Sequence, residues 1–66
     1  MSKYKGYTFK KQILKGSEEC DNKQEMGDWA QSQLIKFKMG QVEPKTVDGW
    51  TVWNNNGIEI KVNYEV

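Results

Sequence analysis

Trp50-Thr51-Val52-Trp53-Asn54-Asn55-Asn56-Gly57-Ile58-Glu59-Ile60-Lys61-Val62-Asn63-Tyr64-Glu65-Val66 is the stretch that decides how this chain folds. Ile58, Ile60, Val62, Tyr64 and Val66 fall on every second position, with Glu59, Lys61, Asn63 and Glu65 between them. That period of two marks a strand with one face buried and one in water. The Asn and Gly residues before it accept the positive φ that a tight reversal needs, so Trp50 to Trp53 is expected to fold back as a partner strand.

The register of this hairpin decides which tryptophan is free. A three-residue loop Asn55-Asn56-Gly57 pairs Val52 with Ile60 and Trp50 with Val62, and leaves Trp53 pointing away from the core beside Thr51 and Glu59. A two-residue Asn56-Gly57 turn pairs Trp53 with Ile60 instead and turns Trp50 and Val52 outward. A slip of one residue exchanges the faces, so the two registers exclude each other. The first is the expectation, because it puts a β-branched Val and a Trp on the buried face together.

Upstream, Asp48-Gly49 is a two-residue hairpin signal that sets Lys45 to Val47 against Trp50 to Val52, and Pro44 keeps its segment at an edge or in a turn. Trp29, Ala30, Leu34 and Phe37 form a stripe at helical spacing between Asp28, a good N-cap with Gln31 three residues on, and Gly40, a residue type that ends helices. The core helix is therefore placed at Asp28 to Met39. A start at Asn22, with Glu25 as its capping partner, would add Met26 to the stripe, at a cost of about 1 kcal/mol for Gly27 inside the helix. Glu18 to Met26 is otherwise nearly without apolar residues and reads as a connector.

The first segment, Lys3 to Leu14, reads as one strand with Tyr7, Phe9 and Ile13 on one parity and Tyr4, Thr8 and Leu14 on the other. Lys11 interrupts that pattern, so the strand either ends near Lys11 or carries a bulge around Lys10 to Gln12. The whole chain, residues 1–66, is expected to be a single small α+β domain. One helix packs on one face of a mainly antiparallel sheet of three to four strands, in the order β-α-β-β-β.

With 66 residues the chain has little room for a deep pocket or a buried polar cluster. Three Trp, three Tyr and two Phe compensate by burying a large area each. There is no His, and the single Cys20 has no partner for a disulfide or a zinc site, which points to a reducing compartment. Neither an apolar leader nor a membrane-length apolar run stands out, so a cytoplasmic protein is expected. No nucleophile has a histidine base, and no phosphate loop, calcium loop or metal cluster is legible. Neither catalysis nor a cofactor is expected.

Function then falls to surfaces. The net charge is +1, but its distribution is uneven. Met1 to Gly16 holds Lys3, Lys5, Lys10, Lys11 and Lys15 without an acid, whereas Ser17 to Asp28 holds Glu18, Glu19, Asp21, Glu25 and Asp28 against Lys23 alone. The plainest account is that these segments lie side by side and neutralise each other, or are solvated faces. The leading functional expectation is a small protein-binding module or inhibitor of the kind frequent in phages and mobile elements. It would use Trp53, Tyr4 and Tyr7 as anchors and Glu18, Glu19 and Asp21 to meet a basic partner. The alternative is a single-stranded nucleic-acid binder that uses Lys3, Lys5, Tyr7, Phe9, Lys10 and Lys11, where lysines meet phosphates and rings stack on bases. A third reading is a structural protein or homodimer, joined through an exposed edge strand.

Overall fold

A computed structural model describes residues 3–63. Among them the chain forms β1 (Tyr4–Lys10), β2 (Ile13–Cys20), α1 (Lys23–Lys36), β3 (Lys45–Val47), β4 (Trp50–Asn55) and β5 (Ile58–Val62). The strands make one antiparallel sheet in the order β2-β1-β5-β4-β3. The α+β class, a single helix on one face of an antiparallel sheet and the pairing of Lys45–Val47 with β4 are as the sequence predicts. The strand number and the order are corrected to five strands and β-β-α-β-β-β. Tyr64 and Val66, the end of the alternating run, lie outside the described residues.

The extra strand has a local cause. Lys11 and Gln12 both take positive φ, 52° and 68°, and turn the chain in two residues. Asp48-Gly49 (51°, 83°) and Asn56-Gly57 (52°, 80°) do the same. Positive φ at both central positions defines the type I′ turn, whose twist suits a hairpin. A non-glycine residue in that region costs roughly 1 kcal/mol. The Lys11 amide compensates by donating to the Gly57 carbonyl at 2.8 Å, which ties the β1–β2 turn to the β4–β5 turn beside it. β2 then runs along β1 as an edge strand, so the segment from Glu18 to Cys20 is strand rather than connector. Thr8 opposes Gly16 and Phe9 opposes Leu14, so Lys15 is the extra residue of a bulge, and Leu14 comes to share a face with Phe9.

The helix starts at the earlier of the two candidate caps. Asn22 has extended backbone, and its Oδ1 accepts from the amides of Gln24 at 2.7 Å and Glu25 at 3.4 Å. Gly27 is accommodated inside because the added turn buries Met26 completely. The expected start at Asp28 is thereby corrected, and Asp28 instead receives the Gln24 side-chain amide at 3.2 Å. At the other end Lys38 (φ 58°), not Gly40, takes the left-handed position. Its N–H donates to the Ile35 carbonyl, the Met39 N–H donates to the Leu34 carbonyl at 2.7 Å, and Met39 and Leu34 are both buried. These bonds and this contact make up a Schellman motif, displaced from the glycine that sequence alone suggests.

α1 lies over β1, β2 and β5. Met26, Ala30 and Leu34, four residues apart, meet Trp53, Ile60 and Val62 of the sheet, and Met39 completes the core. Fully buried Thr8 donates its hydroxyl to Gln33 Oε1 at 3.0 Å, so the polar group that enters this layer is satisfied by the helix.

Candidate functional site

The hairpin register is the two-residue one. Trp53 pairs with Ile60, Val52 with Lys61 and Thr51 with Val62. The three-residue-loop register is corrected, and with it the outward Trp53, which is only 5% exposed within the core. The reason is turn chemistry: Asn56-Gly57 fits the type I′ geometry, and that turn decides every pairing behind it. Trp50 and Val52 consequently face away from the helix.

The face opposite the helix collects alternate residues from each strand, and among the described residues no element covers it. Successive cross-strand pairs line up Ser17, Tyr7, Lys61, Val52 and Lys45 in one row. A neighbouring row holds Leu14, Phe9, Glu59 and Asn54. Tyr7 stands 6.3 Å from Phe9 and 5.9 Å from Trp50, centroid to centroid. The Lys61 ammonium lies 5.6 Å from the Phe9 ring and 5.2 Å from the Trp50 ring, within cation–π range of both. Two hollows flank this lysine. One, at the end where the turns meet, is lined by Phe9, Lys11, Gln12, Asn54 and Glu59; the other, towards β3, by Val47, Trp50 and Val52.

The residues singled out from sequence divide between faces. Tyr7, Phe9 and Lys5 lie on the open face. Tyr4 is half-buried against the core on the helix side. Gly6 faces the helix and receives Trp29 and Met26. Lys10 is exposed on the helix-side parity, and Lys11 sits in the turn. Lys3 donates its backbone N–H to Asp21 at 2.9 Å and holds its ammonium 5.4 Å from the Tyr4 ring. Glu19 stands opposite Lys5, with a 3.9 Å ion pair between exposed side chains, and Glu18 stands opposite Gly6. The basic β1 thus lies beside the acidic end of β2, while Glu25 and Asp28 stand on α1, and the solvated Lys5–Glu19 pair contributes little to stability.

Glu59 and Lys61 fall on this face in either register, and Trp50 and Val52 are its members that the three-residue-loop register hides. The signal for them is the alternation itself, read from the Asn56-Gly57 turn. Cys20 is half-buried at the end of β2, its thiol 3.4 Å from the Asn22 carbonyl. Among the described residues no three His, Cys, Asp or Glu side chains gather as metal ligands, and no helix is long and apolar enough to cross a membrane. Comparison of the chain with protein-family models, with curated proteins and with solved structures gives no match.

Proposed function

We propose that this protein is a non-enzymatic binding module whose working surface is the open sheet face, and that its ligand is single-stranded nucleic acid. One observation carries the reading: Tyr7, Phe9 and Trp50 surround Lys61 on a sheet face that the helix leaves free. Rings on a flat, twisted sheet offer stacking surfaces to successive bases, and stacking is indifferent to sequence because every base has a π face. Lys5, Lys45 and Lys61 on the same face supply charge for the phosphates. The expectation of a protein partner leans on Trp53 as its central anchor, and Trp53 is buried in the core.

The test is fluorescence-monitored titration of the protein with a mixed-sequence single strand at several salt concentrations. Saturable binding that weakens with salt is expected. Replacing Lys5 and Lys61 with Gln lowers the log–log salt slope by about 0.7 for each phosphate that is no longer neutralised. Trp50→Ala costs about 1–3 kcal/mol of affinity. Absence of binding at low salt, or variants that bind like the wild type, would refute the proposal.

A protein ligand is the second reading, favoured by one feature of the same face. Val47 is 53% exposed and lies beside Trp50 and Val52 next to the free edge of β3, an apolar corner suited to an extended peptide that adds a strand. If the oligonucleotide titration is blank, loss of capture of a host protein on Val47→Asp would support this reading, and undiminished capture would exclude it.

A further inference from the structure

We propose that the hollow at the turn end of the open face is a guanine site within a bound single strand. The inference rests on the reading of that face as a nucleic-acid platform. Glu59 stands directly opposite Phe9 on one side and Asn54 on the other, so one ring, one carboxylate and one amide follow each other across three adjacent strands. Lys61 is two residues along β5 on the same face, and the turn at Lys11 and Gln12 closes the end of the hollow.

Glu59 is half-buried, yet among the described residues its carboxylate has neither an ion pair nor a hydrogen bond. The nearby Lys61 ammonium stands over the Phe9 and Trp50 rings. That carboxylate is open to water, and a base stacked on the neighbouring ring brings in-plane donors to it in exchange for solvent. A carboxylate presents two acceptor oxygens side by side. Among the bases, guanine alone offers two adjacent donors, N1–H and the N2 amino group. Adenine and cytosine place an acceptor beside their amino group, and uracil and thymine flank one N–H with two carbonyls. With guanine held against Glu59, the Asn54 amide or the Lys61 ammonium donates to its O6, and the remaining lysines meet the flanking phosphates.

The experiment measures the affinity of the full chain for oligothymidylates of about ten nucleotides. Each carries one central substitution, dG, dA, dC or deoxyinosine, and the unsubstituted strand serves as reference. The dG strand is expected to bind about tenfold tighter than the dA, dC and dT strands, the usual discrimination of one bidentate contact. Deoxyinosine, which lacks the N2 amino group, falls between. Glu59→Gln, with one acceptor replaced by a donor, brings dG level with dT. Equal affinities for all strands would overturn the guanine site and leave the platform reading standing, whereas no binding of any strand would remove both. Free GMP that competes at the concentration of the oligonucleotide would overturn the strand as the source of the base.

Discussion

Gly6 lies directly beneath the indole of Trp29: a β-carbon on Gly6 would stand 2.5 Å from Cζ3 and 2.9 Å from Cε3 of that ring. The helix therefore reaches the sheet at the one position of β1 that has no side chain, and Met26 and Trp29 fill the space above it. Gly6→Ala keeps an allowed strand backbone and acts through the clash alone. We expect a loss of about 1–3 kcal/mol, the usual range for overpacking. In a chain this short, each kcal/mol lowers the Tm by roughly 4–8 °C, so thermal unfolding resolves the effect easily.

The two tryptophans of β4 are expected to behave oppositely. Trp53→Ala empties the centre of the core and costs about 3–5 kcal/mol, most of what a small domain has. Trp50→Ala removes a half-exposed ring and its contacts with Tyr7 and Lys61, worth about 1 kcal/mol. Urea unfolding of both variants measures the difference. Equal losses would contradict the register in which Trp53 opposes Ile60.

Much of the fold is legible in the sequence because several local signals agree. Asp48-Gly49 and Asn56-Gly57 are turn dipeptides with a mechanism, and the alternation after Gly57 and the stripe from Trp29 to Phe37 each fit one period only. β2 is hidden for two reasons. Its turn is made by Lys11 and Gln12, which carry no turn signature, and this edge strand has almost no buried side to mark it. The register is harder still, because Trp50 with Val52 and Thr51 with Trp53 are both plausible inward pairs. Burying Thr51 beside Trp53 runs against hydropathy, and the turn prevails. Tyr7, Phe9, Lys5, Glu59 and Lys61 can therefore be named from the sequence, whereas Trp50 and Val52 require the pairing.

Lys38 and the Lys11-Gln12 turn mark where the chain is short of its optimum. Lys38→Gly relieves a left-handed non-glycine residue at the end of α1 and is expected to stabilise by about 0.5–1 kcal/mol. Replacing Lys11-Gln12 with Asn-Gly acts in the same way on the β1–β2 hairpin, by a similar amount. Chemical denaturation of each variant checks both, and a loss of stability in either would show that the lysine or glutamine side chain makes a contact that outweighs backbone strain.

The cap at Asn22 sets the length of the helix. Asn22→Ala removes the acceptor for the Gln24 and Glu25 amides and is expected to cost about 1 kcal/mol. Amide hydrogen exchange should speed up most in the first turn, because the buried Met26, Ala30 and Leu34 hold the remainder of the helix.

The open face is best tested by amide and side-chain chemical shifts recorded while a mixed-sequence single strand is added to the isotopically labelled protein. The account predicts saturating shifts at Tyr7, Phe9, Trp50, Glu59 and Lys61, with Ala30, Leu34 and Ile35 of the helix unmoved. Shifts centred on the helix, or no shifts at low salt with high micromolar oligonucleotide, would contradict it.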